Sequence, residues 1–417
     1  MRAEGLLEVD SPVITRAAVR ESTRIAPPAP VIVETPPVAP RKAFHIDQLD
    51  GLRGLAALFA VTFHYLAGPA AKWRAAAFFQ SLLEVTPISI DTFFILSGFL
   101  IGSVLLRAKN SGNYYKTFYA RRFCRILPLY YAWIGFFLAL FLVRGGWGLT
   151  HLTNHSTLFY CASFLLLAQN FFPSIIESTY IAAPTWSLAV EEHFYLLVPF
   201  CMRKLSQSRL AKILVGIVLL APVLRALVFR FLGHGNSVGQ VYSHILTPCR
   251  ADALSLGMLL AIAWTSPHAR ARMRDWSRTL PFAMLAFTLM AYGFAHFAAA
   301  EVRHMPVLNE SVGRSIVELS CLCLMIFILV RPEGRFSGLL RTRFLRETGK
   351  ISYCLYLVHW GILWMISRFV FHTRFGDRPW LDVGVALIAL PVSYGISMLS
   401  WRILERPLVN WSHRFTY

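Results

Sequence analysis

"LDGLRGLAALFAVTFHYLAG", residues 49–68, decides how the rest of the chain is read. From Leu55 to Leu66 it has the apolar density of a bilayer-crossing helix, yet Arg53 stands near its start and His64 well inside. Ionisable groups are costly in hydrocarbon, and a span that keeps them marks a functional site. Their offset of eleven residues is close to three helical turns. Both side chains therefore project from one face, about 16 Å apart along the axis. They cannot touch. A shared face at two depths reads as two stations along one path.

Composition sets the frame around this helix. The chain of 417 residues is 56% hydrophobic and only 15% charged. Apolar runs at 126–143, 211–232, 280–300, 316–330 and 381–400 are each near the ~20 residues that cross a bilayer. The expected fold class is all-α, a polytopic transmembrane helical bundle. The formal charge of +19 raises the question of nucleic acid, but its distribution along the chain gives it a membrane explanation. The seven cysteines are scattered, and Cys321 and Cys323 lie mid-span, so neither a zinc site nor a disulfide framework is expected. Residues 1–43 hold seven prolines and no compact apolar core. They read as a disordered cytosolic tail rather than a signal peptide, which needs an uninterrupted apolar stretch.

The basic residues alternate between loops. Stretches 107–125, 203–212, 270–278 and 331–350 hold twenty Lys and Arg, against eight in the intervening loops. The positive-inside bias places the first set in the cytosol. Parity then conflicts with one segment. The helix beginning at Ile126 ends outside, and the helix at 186–200 must start outside, so the apolar stretch 158–172 between them cannot be a simple span. It is expected to be re-entrant or interfacial, with a full eleventh crossing as the alternative. The count becomes about ten spans with both termini cytosolic.

This register sorts the polar residues into two layers. "PISIDTFFILSGFLIG", "PTWSLAVEEHFYLLVP" and "TPCRADALSLG" all enter from outside. Asp91, Glu191, Arg250 and Asp252 therefore fall in the outer half with His64. Ser187, Glu191 and Tyr195 follow i, i+4, i+8 spacing and share a face. In "ISYCLYLVHW", Ser352, Tyr356 and His359 share a face, with His359 near mid-membrane. The inner layer is basic. In "YARRFCRILP", Arg121, Arg122 and Arg125 crowd the first turns of one helix, and guanidinium groups suit phosphate oxygens. A basic mouth below an acidic, histidine-bearing chamber points to a phosphorylated cytosolic ligand and proton handling above it. Plainer readings stand beside these. Lys109 and Lys116 fit topology alone, Asp252 fits a structural pair with Arg250, Trp186 fits an interfacial anchor, and His359 fits a core histidine bonded to a neighbouring helix.

Together the stretches "LDGLRGLAALFAVTFHY", "DTFFILSGFLIG", "YARRFCRILPLYY", "PTWSLAVEEHFYLL", "RADALSLG", "ISYCLYLVH" and "ERPL" resemble the membrane acyltransferase 3 family of bacterial O-acyltransferases. The resemblance implies a ten-span domain at 44–411, followed by a short cytosolic tail at 412–417, in the bacterial inner membrane. It implies an acyl-CoA co-substrate, most often acetyl-CoA, and a cell-surface or secreted glycan, or a lipid-linked glycan, as acceptor. It also implies functional positions at Arg53, His64, Arg121, Arg122, Glu191 and His359. Some relatives append an extracellular hydrolase-like domain; with nine residues after Leu408, none is expected here. His193 stands where relatives often carry Gln.

The residue reading and the resemblance converge on one expected mechanism. Acyl-CoA docks from the cytosol with its phosphates on Arg121 and Arg122, helped by Arg53 and Arg125. The thioester reaches up to His64, which acts as general base or carries the acyl group itself. Glu191 orients or stabilises the imidazole. Asp91 and His359 join the catalytic set, and Trp186, Ser187, Tyr195, Arg250, Asp252 and Tyr356 line the acceptor side. No metal and no nucleic acid enter this reading. A secondary transporter or a non-catalytic glycan-binding protein is the alternative. A transporter calls for broken helices at matching places in two similar halves, and no internal repeat is apparent.

Overall fold

A computed structural model describes residues 46–71, 87–143, 154–172, 182–232, 237–299, 304–373, 375 and 377–417. The expectations for the tail at 1–43 lie outside these residues. The compact unit spans residues 46–417. Its described residues form helices and connecting turns: α1 (Asp47–Ala71), α2 (Pro87–Ala108), α3 (Tyr114–Val143), α4 (Asn154–Leu165), α5 (Thr185–Lys204), α6 (Gln207–Leu227), α7 (Ser237–Ile245), α8 (Thr247–Thr265), α9 (Pro267–Asp275), α10 (Leu280–Ala299), α11 (Arg314–Val330), α12 (Arg335–Leu340), α13 (Arg343–Met365), α14 (Pro379–Ser400) and α15 (Arg406–Ser412).

Eight helical stretches among the described residues are long and apolar enough to cross a membrane. The protein is a multi-pass, all-α membrane bundle. Helices α1, with 25 residues, and α5, with 20, also reach about 30 Å at 1.5 Å per residue. Their polar side chains, Arg53 and His64 in one and Glu191, Glu192 and His193 in the other, set them apart from their apolar neighbours. The stretch at 158–172 is not a continuous span. Helix α4 stops at Leu165, Leu167 takes a left-handed φ of 56°, and a single 3-10 turn follows at Gln169–Phe171. Tyr130 and Tyr131 of α3 donate to the carbonyls of Phe164 and Leu165 (2.7 and 2.9 Å), which ties down the end of α4.

Two tight crossings organise the bundle. Helix α2 lies along α8, where Gly98 faces Leu254 and Met258, Gly102 faces Ala261, and Gly257 faces Ile95. Helix α1 lies along α12 and α13, where Gly51 faces Leu340 and Gly54 faces Leu345 and Gly349. Residue numbers rise together along each contact, so α2 and α8 are parallel, as are α1 and α13. Small residues let membrane helices approach backbone to backbone, which is how dispersion and weak Cα–H bonds replace the hydrophobic effect inside lipid.

The basic loops gather at one end. Lys109 donates to the Leu205 carbonyl at 2.7 Å, Arg203 to that of Ser111 at 3.0 Å, and Arg331 to Ser277 at 3.4 Å. Gln48, at the start of α1, donates to the Pro332 carbonyl at 3.3 Å, and Arg346 pairs with Asp47 at 3.2 Å. Residues 413–417 do not trail away as a free tail. Thr117 donates to the Thr416 carbonyl at 2.9 Å, on the same end of the molecule.

Candidate functional site

The crossing of α1 and α13 carries the site. Ten residues beyond Gly54 on α1 stands His64, and ten residues beyond Gly349 on α13 stands His359. Parallel helices in tight register carry equal advances to the same level, about 15 Å above the glycine contact. There the His64 Nδ1 and His359 Nε2 atoms are 2.8 Å apart, with ring planes within 10° and centroids 5.0 Å apart. His359 is fully buried. Its Nδ1 donates to the Tyr356 carbonyl at 2.6 Å. The Tyr65 hydroxyl lies 2.9 Å from the His359 carbonyl and 2.7 Å from Ser393 Oγ, so α14 buttresses the pair. Trp360 packs beside His64 at 5.3 Å between centroids.

Glu191 is not the partner of this imidazole. Its Oε1 accepts from Ser97 at 2.8 Å and its Oε2 from Tyr195 at 2.9 Å, one turn along α5. The expectation that Glu191 orients His64 is corrected: His359 occupies that place. The sequence put Glu191 and His64 at one level but could not fix which way α5 is rotated. The Tyr195 ring in turn lies under the Arg122 guanidinium, 5.2 Å from its centroid. Glu191 is therefore built into the basic layer.

That layer also differs from the expected trio. Successive helical residues diverge by about 100°, and Arg121 and Arg122 face apart. Arg121 donates twice to the Phe415 carbonyl (3.0 and 2.7 Å) and lies over the Tyr417 ring at 5.4 Å. Arg122 and Arg125 make no hydrogen bond or ion pair with any described residue, and Arg125 is exposed. Arg53 of α1 completes the cluster, with only a 3.5 Å contact to Asp50. Arg53, Arg122 and Arg125 lie within electrostatic range of one another. Asp50, Glu191 and Glu405 lie within the same electrostatic range, and three like charges so placed can hold a polyanion.

Between the two layers the polar and aromatic groups form a series. Ser97, holding Glu191, and Phe93, one turn away on α2, are both half-buried and face the same way. Phe93 meets the Tyr356 ring at 6.1 Å, and Tyr356 meets His359 at 5.7 Å. Tyr356 Oη is 3.0 Å from Ser187 Oγ, one turn from Glu191 on α5. Ser187, Tyr195 and Tyr356, expected on the acceptor side, instead lie on this line from the arginines to the histidines.

Asp91, Arg250 and Asp252 belong to a different structure. Asp91 pairs with Arg250, and Asp252 pairs not with Arg250 but with Arg225, at 2.6 Å. Glu318 lies 3.7 Å from Arg225 and 3.8 Å from Arg250. All five are fully buried. Arg225 also donates to the carbonyls of Cys249 and Ser311 and to Ser315 Oγ. This network ties α2, α6, α8 and α11 together, and Asp91, expected in the catalytic set, is paired here with Arg250. Arg225 and Glu318 were missed in the sequence, although each is a charge inside an apolar run. His244 was missed as well. It packs on Trp186 at 4.7 Å between centroids, and its electrostatic neighbours include His64, Arg250 and Arg314. Trp186 is thus an inward wall rather than an interfacial anchor. His193 bonds to Thr247 Oγ1 at 2.8 Å and is spent on packing α5 against α8.

The model of the acyltransferase domain family matches residues 46–402. The chain is 27% identical over 376 residues to the peptidoglycan O-acetyltransferase OatA of Listeria monocytogenes, covering 87% of this chain and 56% of that protein. It is 27% identical over 385 residues to the O-acetyltransferase OatA of Staphylococcus aureus, covering 87% of this chain and 57% of that protein. The chain thus spans just over half the length of these relatives. No solved structure matches it. With the family model covering most of the chain, the chain belongs to the membrane acyltransferase 3 family.

Proposed function

We propose that the chain is an integral-membrane O-acyltransferase of the bacterial cytoplasmic membrane. It moves an acyl group, acetyl in the first instance, from cytosolic acyl-CoA to a hydroxyl of a cell-surface glycan. One observation carries the reading. Guanidinium groups clustered at the basic end of the bundle lead, through Glu191, Ser97, Phe93 and Tyr356, to a hydrogen-bonded pair of histidines. In this reading ten helices span the bilayer with the basic end in the cytosol.

Arg53, Arg122 and Arg125 hold the phosphates of the donor, a role for which charge-assisted and bidentate bonds suit them. His64 receives the proton of the acceptor hydroxyl as its oxygen attacks the thioester carbon. The carbon–sulfur bond breaks, and the departing thiolate takes that proton from His64. Trp186 and His244 wall the chamber on the acceptor side. The name of the Listeria monocytogenes relative favours a peptidoglycan-type acceptor over other glycans.

The test uses the full chain in proteoliposomes with labelled acetyl-CoA outside and a glycan acceptor inside. Transfer to the glycan is expected, and His64→Ala is expected to abolish it while insertion and yield stay normal. Full transfer by His64→Ala removes His64 from the mechanism. No consumption of acetyl-CoA by the unaltered protein removes the donor.

A further inference from the structure

The geometry points to His359 as the positioning residue that fixes the tautomer of His64, leaving Nε2 of His64 as the atom that does the chemistry. The inference rests on the functional reading above and deepens it. It begins at a carbonyl, which can only accept. Because the Tyr356 carbonyl lies 2.6 Å from His359 Nδ1, that nitrogen carries a proton. His359 is fully buried, and no described carboxylate is bonded to it; a cation there would be desolvated without a partner. The ring is neutral, so its Nε2 presents a lone pair. Among the described residues, the only polar group offered to that lone pair is His64 Nδ1 at 2.8 Å, which is then the donor. A neutral imidazole has one N–H. His64 Nε2 is left bare, and no described residue bonds to it.

The chain of bonds runs from His64 Nδ1–H to His359 Nε2, and from His359 Nδ1–H to the Tyr356 carbonyl. It does for His64 what a carboxylate does for the histidine of a hydrolytic triad, which is to choose the tautomer and hold the ring. Here the work is done without a buried charge, which suits mid-membrane. The His359 ring has no freedom to turn away. Tyr65 holds the His359 carbonyl, and the rings of Tyr65, Tyr356 and Trp360 surround the imidazole. When His64 takes a proton at Nε2, its Nδ1–H bond to His359 is retained and strengthened by the charge. His359 therefore supports both the base and the conjugate acid.

The test is solid-state nitrogen NMR on the full chain in liposomes, labelled with ring-15N histidine and assigned to His64 by difference from His64→Ala. A protonated Nδ1 and a bare Nε2 are expected. In His359→Leu, the His64 proton is expected to move to Nε2, the form a free imidazole prefers. The kcat is then expected to fall on the order of a hundredfold with donor KM unchanged, as loss of an orienting partner does elsewhere. His359→Gln returns an acceptor near the lost Nε2 and is expected to restore most of the rate, which a purely space-filling role would not require. A proton on Nε2 in the unaltered chain overturns the inference. An unchanged kcat in a folded His359→Leu protein does the same. Should His359→Leu fail to fold, the labelled unaltered chain decides by itself. Transfer persisting in His64→Ala would sink the functional reading while leaving the measured tautomer standing; an inactive His64→Ala, with His64 of the unaltered chain protonated at Nε2, would sink this inference alone.

Discussion

Gly54 on α1 and Gly349 on α13 lie backbone against backbone, so that a Cβ on Gly54 would stand 2.9 Å from the Gly349 nitrogen and 2.1 Å from the Leu345 carbonyl oxygen. Backbone cannot step aside as a flexible side chain can. Gly54→Ala and Gly349→Ala are each expected to push the helices apart. The histidines ten residues further on then lose their 2.8 Å contact. Acyl transfer should fall more steeply than the melting temperature in detergent. A variant with normal transfer would show that the register is held elsewhere.

The α2–α8 crossing gives a different outcome. A Cβ on Gly257 would stand 2.0 Å from the Ile95 carbonyl oxygen, whereas one on Gly135 or Gly216 meets nothing within 4 Å. Gly257→Ala is expected to cost about 1–3 kcal/mol by overpacking. Gly135→Ala and Gly216→Ala should not lower the thermal melt, since the space is open and Ala favours the helix.

Arg225 sits between Asp252 and Glu318 with no exposed surface. Removing one partner of a buried pair leaves an uncompensated charge. Arg225→Met is expected to destabilise by about 3–5 kcal/mol. Combining it with Asp252→Leu should recover part of the loss, as followed by thermal unfolding. Additivity of the two losses would rule out the coupling.

The two adjacent arginines separate by function. Arg122→Gln removes a free guanidinium from the polyanion site, and about a tenfold rise in donor KM is expected, the equivalent of one charged hydrogen bond. Arg121→Gln releases the Phe415 carbonyl instead. Its donor KM should stay put, while residues 413–417 become more open to protease. Equal KM effects would return Arg121 to the donor site.

Glu191 distinguishes two roles by kinetics. Bonded to Ser97 and Tyr195, it positions the ring beneath Arg122, so Glu191→Gln is expected to raise donor KM more than it lowers kcat. A fall in kcat with KM unchanged would restore the role of orienting His64.

The sequence by itself determined what depends on local chemistry. Hydropathy made the chain a helical membrane bundle, the basic loops fell together at one end, and parity denied a single span to 158–172, where α4 ends at Leu165. Arg53, Arg122, His64, Glu191 and His359 were legible as polar residues in apolar helices. Their partners were not. That His64 meets His359, Glu191 meets Tyr195, Asp91 meets Arg250 and Asp252 meets Arg225 depends on how each helix is rotated and slid against its neighbours. Periodicity fixes which residues share a face but leaves that rotation and register free. In this bundle they are set by a few glycines where two backbones touch, contacts between residues from about 160 to nearly three hundred positions apart that no local pattern contains.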